Sequence, residues 1–405
     1  MTYIRRTLET TLKRAAAQFP VVVLTGPRQS GKTTLLKHVF GSTHEYVSLE
    51  PPDVRLAATE DPRGFLASHP APVVFDEVQA APGLLPYIKE VVDRTRERPG
   101  QFLLTASQNL MLAQGVTESL AGRAALLRLL PMSRREVAGR PEAMLPWEGS
   151  ARRPTIGPGA GSIWPELLRG GYPELVAGRV KDATLWHASY VQTYLERDVR
   201  SLRQIGDLRQ FQAFLRLLAA RSAQLLNLSD AARDLGVAVN TAKAWLSVLE
   251  TTYQVLVLRP YWANVGKRLV KSPKVYFTDT GTLCYLTGLR DPAHAANGPL
   301  GGALFETAVI AEVYRSLTHR GIEPQLYFWR TATGVEVDLV VDTGEAFVPI
   351  EVKLSSTPTP TMARGIEAFR RDIGPRASRG FLVHPGGSSL PLGPAATALP
   401  FAALC

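Results

Sequence analysis

The sequence has few cysteines, no long apolar run and no histidines at metal-binding spacings. Its 405 residues include only two cysteines, Cys284 and Cys405, which excludes a disulfide scaffold and a cysteine-rich zinc site. No segment approaches the roughly 18 apolar residues that a membrane span needs. Residues 1–19 lack the apolar core of a secretory signal. We therefore expect a cytoplasmic protein with no membrane partner.

Positive charge is concentrated in the middle of the chain. The formal net charge is +10, to which residues 1–150 contribute +3, residues 151–298 contribute +8 and residues 299–405 contribute −1. This distribution favours a module in the middle third that meets a polyanion such as DNA. A solvated basic surface would give the same balance.

Two stretches rich in glycine and proline, 139–162 and 287–302, are predicted to be linkers. In the part before them, short apolar runs alternate with helical patterns, which indicates a parallel sheet covered on both faces. The predicted strands are Val21–Thr25, Tyr46–Leu49, Val73–Phe75, Phe102–Thr105 and Ala124–Leu130, and the predicted helices include Lys32–Phe40 and Leu84–Arg98.

A phosphate-binding loop follows the first predicted strand. Residues 26–33 fill every fixed position of the pattern G-x-x-x-x-G-K-[ST] between a strand and a helix. The glycines let backbone N–H groups face the phosphates, while Lys32 should reach the β- and γ-phosphates of ATP and Thr33 should hold Mg²⁺. The predicted ATP contacts are Gly26, Pro27, Arg28, Gln29, Ser30, Gly31, Lys32, Thr33 and Thr34, together with Asp76 and Asn109.

Acidic and polar residues follow the next predicted strands. Asp76 is expected to complete the Mg²⁺ site, and Glu77 to act as the base that orients the attacking water. Tyr46–Leu49 is a candidate extra strand between the phosphate loop and these acids, which is the order of the additional-strand ATPases. Asn109 could sense the γ-phosphate. Arg123 closes a helix before a strand, where it could serve as a finger on a neighbouring subunit of a homo-oligomer, or could be an ordinary surface arginine.

These motifs resemble one known family, the bacterial and archaeal AAA-type ATPases with a C-terminal domain of unknown function. The similar segments are the phosphate loop, Asp76-Glu77, SLAGR at 119–123, GGYPE at 170–174, YLERDVR at 194–200 and GKRLVKSPKVYFTDTG at 266–281. The resemblance runs over nearly the whole chain. It implies an ATPase core, a helical lid, a winged-helix segment and a restriction-endonuclease-like tail.

Within the basic region 151–298, the sequence predicts a helix-turn-helix followed by a wing. Helices are predicted at Leu208–Arg221, Ser229–Leu235 and Val239–Thr251, with Ser229 at a cap, and strands at Val255–Leu258 and Val275–Phe277. The wing between these strands is rich in lysine and arginine, which suits phosphate contacts. The predicted DNA contacts are Asn240, Thr241, Lys243, Lys267, Arg268 and Lys271. A packing or regulatory role for such a winged helix is the alternative.

Near the C-terminus, Gly334–Asp342 and a segment that includes Glu351 and Lys353 alternate as a hairpin. A two-residue turn at Thr343-Gly344 would pair Asp338 with Pro349 and place Glu351 diagonally on the same face.

This pattern resembles the D…(D/E)-x-K core of restriction-endonuclease-like nucleases. The resemblance implies a metal site at Asp338, Glu351 and the helix acid Glu306, with Glu312 as a second helix candidate and Lys353 as a catalytic cation. A half-exposed sheet with solvated acids, or a nuclease fold without cleavage, would produce the same pattern.

The sequence as a whole predicts a multi-domain α/β protein that acts on DNA and uses ATP and Mg²⁺. The alternatives are a non-cleaving ATP-gated switch on DNA, and a signalling or defence ATPase whose winged helix and tail bind protein. The predicted parts are an AAA-type P-loop ATPase core with a parallel sheet (1–140), a linker and helical lid (141–207), a winged helix (208–290), a restriction-endonuclease-like α/β domain (299–390) and an extended or poorly ordered tail (391–405).

Overall fold

The computed structural model describes residues 3–107, 120–149, 162–194, 207–261 and 272–404. The chain divides into two compact units. Unit 1 comprises residues 1–132 with the short segments 251–253 and 318–322, and unit 2 comprises residues 133–250, 254–317 and 323–405. In the part of the chain that the structure describes, no helix has both the length and the apolar character to cross a membrane.

Unit 1 is built on a five-stranded sheet whose strand pairs are all parallel. The strands are β1 (Val21–Thr25), β2 (Glu45–Ser48), β3 (Val73–Asp76), β4 (Phe102–Ala106) and β5 (Ala124–Arg128). Every residue of β1 and β4 is buried, as expected of apolar strands covered on both faces. The predicted parallel sheet is confirmed.

The strand order of this sheet is β2-β3-β4-β1-β5. The strand that separates the loop-bearing β1 from the acid-bearing β3 in space is therefore β4. The strand around Tyr46, which precedes the acids in the chain, lies instead at the sheet edge as β2. Chain order could not distinguish these arrangements, because parallel connections can pass over a neighbouring strand.

The α-helices that the structure describes in unit 1 are α1 (Leu8–Ala16), α2 (Lys32–Phe40), α3 (Pro52–Glu60), α4 (Pro62–Ser68) and α5 (Leu85–Arg94). Helix α2 has the predicted bounds. Helix α5 was predicted to reach Arg98 but ends at Arg94, because Thr95 leaves the helical region with φ −129° and ψ 35°. The side-chain amide of Gln101 then donates to the carbonyl oxygens of Thr95 (3.0 Å) and Arg98 (2.8 Å).

Two short segments from far along the chain complete unit 1. The Tyr253 hydroxyl donates to Thr25 Oγ1 at 2.8 Å, at the last residue of β1. The Leu130 N–H donates to His319 Nε2 at 3.1 Å. Residues next to the phosphate loop are thus held by parts of the sequence that lie 189 and 228 residues away.

Unit 2 contains an eight-stranded mixed sheet in the order β12-β13-β11-β10-β9-β8-β6-β7. The strands are β6 (Val255–Pro260), β7 (Lys274–Phe277), β8 (Leu326–Arg330), β9 (Glu336–Asp342), β10 (Phe347–Val352), β11 (Gly380–His384), β12 (Leu390–Leu392) and β13 (Ala396–Pro400). The antiparallel pair β6–β7 joins the rest through parallel pairing of Arg259 with Tyr327 and Pro260 with Phe328. The hairpin predicted as a wing and the C-terminal strands therefore share one sheet.

The α-helices that the structure describes in unit 2 include the three predicted at 208–221, 229–235 and 239–251, each within one residue of its predicted ends. The described helices are α6 (Arg134–Val137), α7 (Trp164–Arg169), α8 (Pro173–Val176), α9 (Ala183–Tyr194), α10 (Leu208–Ala220), α11 (Leu228–Asp234), α12 (Val239–Thr251), α13 (Thr280–Thr287), α14 (Pro292–Asn297), α15 (Gly301–Thr318) and α16 (Arg364–Ile373). The cap of α11 is Asn227, not Ser229 as predicted, because the Asn227 side chain accepts from the N–H groups of Ser229 and Asp230.

The hairpin β9–β10 has a different register from the predicted one. Phe347 pairs with Asp342 and Pro349 with Val340, so four residues connect the strands in place of two. Thr343 and Ala346 close this loop through hydrogen bonds of 2.9–3.1 Å. The shift of two residues keeps all side chains on their predicted faces, and one further step of the register sets Glu351 directly opposite Asp338.

Two segments predicted to lack structure are ordered. The stretch 287–302 contains helix α14 and the start of α15. The predicted tail from 391 to 404 is wrong as a tail, because β12 and β13 extend the sheet and Leu392, Ala396 and Phe401 are buried. Proline at the sheet edge is compatible with a strand, since an edge residue needs no inward N–H.

Candidate functional site

The phosphate loop connects β1 to α2 and has the backbone that the glycine pattern predicts. Gly26 has φ +149°, and a Cβ there would lie 2.0 Å from the carbonyl oxygen of Leu129. Gly31, with φ +96°, directly precedes the first residue of α2. Both positions therefore require glycine. The loop ends on a helix N-terminus, which favours phosphate binding.

Lys32 lies inside this loop and is 4% exposed. Its ammonium donates to the carbonyl oxygens of Gly26 (3.0 Å) and Pro27 (3.0 Å) and to Ser107 Oγ (3.3 Å). All three acceptors are neutral oxygens that surround the position where the loop would cradle phosphates. The lysine is thus held ready for an anionic ligand.

Thr33 and Asp76 come together as predicted for a magnesium site. The Thr33 hydroxyl donates to both carboxylate oxygens of Asp76, at 3.0 and 3.1 Å. Asp76 also accepts from the hydroxyls of Tyr46 (2.6 Å) and Thr105 (2.5 Å). A hydroxyl and a carboxylate beside the phosphate loop form a donor set that fits nucleotide-bound Mg²⁺.

Glu77 is fixed in a position suited to a base. Its backbone is left-handed, with φ 58°, and its carboxylate accepts from Ser107 Oγ at 2.6 Å and from the amide of Gln79. Burial would raise the pKa of Glu77, but the Lys32 ammonium and these two hydrogen bonds outweigh it and lower that pKa below its usual value. The carboxylate is therefore ionised at neutral pH.

The remaining predicted loop residues line the same region. Pro27 and Ser30 are buried, Arg28 is half-buried near Glu50 (3.8 Å), and Gln29 and Thr34 are exposed. Asn109, the predicted γ-phosphate sensor, lies outside the described residues.

Three positioning residues of this site were not assigned individually from the sequence. Ser107 joins Lys32 to Glu77, and Tyr46 holds Asp76. The guanidinium of Arg6 donates to the carbonyl oxygens of Ser30 and Leu130, both at 2.8 Å. Ser107 lies at the end of β4, which is a signal that could have found it. A tyrosine in a strand and an arginine before α1 carry no such signal.

Arg123 lies at the opposite end of the sheet from its own phosphate loop. It precedes Ala124, which pairs with Val21 at the start of β1, whereas the loop follows the end of β1. Its guanidinium pairs with Asp93 at 2.5 and 3.1 Å. Any contact with ATP would therefore be made on another copy of the chain.

A second group of ionisable residues lines a cleft of about 730 Å³ in unit 2. The structure brings together Asp338 and Glu351 from the hairpin β9–β10, Glu306 from α15, Glu336, and the lysines Lys274 and Lys353. We call the four acids the carboxylate cluster. Glu312, the other helix candidate, accepts instead from the backbone N–H of Arg134 at 3.0 Å and is fully buried elsewhere in unit 2.

The hairpin carboxylates are buried and held by few donors. Asp338 Oδ2 accepts from the N–H of Val352 at 2.8 Å, and Glu351 Oε1 accepts from Lys353 at 2.6 Å. Burial raises the pKa of Asp338, and burial with the Asp338 charge raises the pKa of Glu351. The same two effects raise the pKa of Glu306 to about 7.

The ammonium of Lys274 lies among these acids. It is 3.1 Å from Glu306 Oε1 and 3.9 Å from Asp338 Oδ1, and it also pairs with Glu336. In the described ranges, no three His, Cys, Asp or Glu side chains are arranged to hold a metal ion. The predicted residues have come together, but the arrangement does not fit a divalent ion.

The predicted DNA contacts that the structure describes lie at the start of α12. Asn240 and Lys243 are exposed and Thr241 is half-buried. Residues three apart on a helix are surface neighbours, so Asn240 and Lys243 present one polar, basic patch. Lys267, Arg268 and Lys271 lie outside the described residues.

Three family models match the chain. An AAA domain model covers residues 18–138. A domain of unknown function, DUF8612, covers residues 162–293, and a second, DUF4143, covers residues 301–404. The first match and the loop geometry agree in making unit 1 an AAA-type P-loop ATPase.

The proteins to which the chain is similar include two curated relatives and two solved structures. The uncharacterized proteins Rv2008c of Mycobacterium tuberculosis and Mb2031c of Mycobacterium bovis are each 33% identical over 397 residues, which is 98% of this chain and 83% of theirs. The Walker-type ATPase PABY2304 of Pyrococcus abyssi is 16% identical, over 70% of this chain and 96% of its own, with a TM-score of 0.44. RuvB of Thermotoga maritima is 16% identical, over 62% and 85%, with a TM-score of 0.28.

Proposed function

The chain belongs to the family of the mycobacterial proteins Rv2008c and Mb2031c, and from this premise we propose that it is an ATPase that acts on DNA. The ATPase part rests on unit 1, and above all on the connected contacts from Lys32 through Ser107 to Glu77. The DNA part rests on the basic middle of the chain. The two parts are tested separately.

In the proposed hydrolysis, two loop residues and the two acids at the end of β3 each have a defined role. Lys32 binds the β- and γ-phosphates in exchange for the carbonyl oxygens that hold it now. Thr33 and Asp76 would hold Mg²⁺, which neutralises phosphate charge when bound. Glu77, kept ionised by Lys32 and Ser107, accepts a proton from the attacking water. Glu77→Gln should therefore retain ATP binding but lose phosphate release.

DNA contact is supported by charge and exposure together. Residues 151–298 carry +8, and the exposed Asn240 and Lys243 share one side of α12. Helices α10–α12 followed by the hairpin β6–β7 have the element order of a winged helix. A duplex would meet α12 and the segment 262–271.

Fluorescence anisotropy of a labelled duplex tests this contact. Raising the salt from 50 to 200 mM should weaken binding about 10²-fold if four cations contact phosphates. The variant Lys243→Glu/Lys267→Glu/Arg268→Glu/Lys271→Glu should abolish binding, whereas the exposed Lys181→Glu should not. Equal binding by the four-site variant and wild type would reject DNA contact and favour a protein partner.

Strand cutting by unit 2 is the second candidate function. It is favoured by one observation, that Asp338, Glu351 and Lys353 face a single cleft. Wild type, Lys32→Ala and Asp338→Ala/Glu351→Ala would be compared on linear, forked and junction DNA with Mg²⁺ or Mn²⁺, following ATP turnover and cutting together. Absence of cutting by wild type leaves the ATP-gated, non-cleaving protein.

We also propose that Arg123 acts on the ATP of a second copy. A mixing experiment is the direct test, since Lys32→Ala subunits keep the arginine and Arg123→Ala subunits keep the loop. Each variant should be inactive alone, and the mixture should regain part of the turnover. Full activity of Arg123→Ala alone would make it a surface residue paired with Asp93.

A further inference from the structure

Lys274 is a buried cation that lies among acids from distant parts of the sequence. It is the first residue of β7, whereas the acids come from α15, β9 and β10. We propose that Lys274 is the resident cation of the carboxylate cluster and takes the place of a divalent metal ion there. The proposal goes beyond DNA action, because it concerns which cation the cluster holds.

The contacts of Lys274 are those of a counterion. Its ammonium is close to three carboxylates at once, those of Glu306, Glu336 and Asp338. Burial would lower the pKa of Lys274, but these three charges outweigh it and raise that pKa. The side chain is 4% exposed. Carboxylates around a buried ammonium compensate its charge, and three of them lie around Lys274.

Neighbouring groups fix the arrangement from outside the cluster. The Tyr276 hydroxyl, two residues along β7, donates to Glu306 Oε1 at 2.6 Å. The Arg330 guanidinium pairs with Glu336 Oε2 at 2.5 Å. The acids that contact the ammonium are thus held from a second side, which keeps them directed at Lys274 and not at one another.

One carboxylate of the cluster has an oxygen that would be available to a metal ion if the ammonium were removed. Glu351 is 5% exposed, and its Oε2 has no hydrogen-bond partner among the described residues. It lines the same cleft as Asp338 and Glu306. Divalent cations need oxygen ligands at about 2.0–2.6 Å, and an ammonium among those oxygens both occupies them and repels the ion. Removal of the Lys274 charge should therefore create a metal site.

Mn²⁺ binding to the full-length chain, followed by electron paramagnetic resonance without nucleotide, tests the proposal. All proteins would carry Asp76→Asn so that the ATP site does not contribute. Lys274→Met should bind one Mn²⁺ at least tenfold more tightly than the Lys274 protein. Adding Asp338→Asn and Glu351→Gln should abolish the gain, and Lys274→Arg, which keeps the charge, should show none.

A parallel measurement decides the question even if Lys274→Met does not fold. With Lys274 intact, Asp338→Asn/Glu351→Gln should leave Mn²⁺ binding unchanged, because the Lys274 ammonium already excludes the ion from these carboxylates. A Mn²⁺ site that disappears in this variant would overturn the proposal, as would a folded Lys274→Met protein that gains no site. Neither result depends on ATP turnover or on duplex binding, so a failure here is separate from a failure of the proposed ATPase and DNA contact. A Mn²⁺ site in the Lys274 protein would favour strand cutting, the second candidate function, over Lys274 as the resident cation.

Discussion

Two lysines, one in each unit, are equally buried but differ in what surrounds them. Lys32 and Lys274 are both 4% exposed. Lys32 donates to two carbonyl oxygens and a hydroxyl, whereas Lys274 pairs with carboxylates. Carbonyl and hydroxyl oxygens can be exchanged for phosphate oxygens, since the lysine gains charge compensation in the exchange. Carboxylates already provide that compensation, so the second lysine stabilises structure where the first binds ligand.

The largest difference should appear in stability. Lys274→Met leaves buried acids without their cation and should lower the free energy of unfolding of unit 2 by about 3–5 kcal/mol. Lys32→Met should change the free energy of unfolding of unit 1 little, and far-UV circular dichroism during the same unfolding includes that unit. All six tryptophans lie between residues 147 and 329 and within unit 2, so tryptophan fluorescence during urea unfolding reports unit 2 alone. Equal shifts for both variants would contradict the comparison.

The next largest effect should appear in ATP turnover. Lys32→Ala removes the charge that meets the phosphates and should reduce phosphate release by about 10²–10³-fold. The matched control is Lys13→Ala, an exposed lysine of α1 in the same unit. Comparable loss in both variants would mean that charge in unit 1, not the position of Lys32, supports turnover.

Ser107 is expected to matter less, because it acts through Glu77. Ser107→Ala should reduce kcat about tenfold with little change in KM, the loss of one hydrogen bond to a charged group. Since that bond helps to lower the pKa of Glu77, its loss should raise the pKa and move the acid limb of the pH–rate profile to higher pH. Ser107→Thr keeps the hydroxyl and should keep the profile; an unmoved limb in Ser107→Ala would remove Ser107 from this role.

The smallest effect is expected at Tyr46. Asp76 keeps the hydroxyls of Thr33 and Thr105 when Tyr46→Phe removes its third donor. The Mg²⁺ concentration for half-maximal turnover should therefore rise only two- to fivefold, as for one hydrogen bond of about 1 kcal/mol. Tyr87→Phe, which alters a tyrosine of α5, is the control. No change at Tyr46 would show that the other two donors suffice.

The ATP site could be predicted because its rules are local. A loop pattern of eight residues predicts the positive φ angles of Gly26 and Gly31. It also predicts that a strand precedes the loop and that α2 begins at its end. The acids Asp76 and Glu77 follow a strand whose burial the sequence also predicts. The contributions of Arg6 and Tyr253 could not be predicted, because they depend on contacts across more than 100 residues.

The carboxylate cluster shows where local rules fail. The alternation of the sequence predicts Asp338 and Glu351 on one face of the hairpin, and the structure has them there. The predicted turn was two residues too short, but a shift of an even number of residues leaves every side chain on the same face. From the sequence alone, Lys274 is predicted to be one of several cations in a basic wing. Its true neighbours follow from the pairing of β6 with β8, a non-local contact for which the sequence carries no signal.

That pairing also bears on how the protein can be divided. The family models end at residue 293 and begin again at residue 301, yet the sheet passes through this boundary. A fragment that starts at residue 301 would expose the edge of β8 and leave Glu306, Glu336 and Asp338 without Lys274, so it should aggregate or fail to fold. The two stretches of unknown function therefore share one sheet within unit 2, and a fragment for expression should contain both.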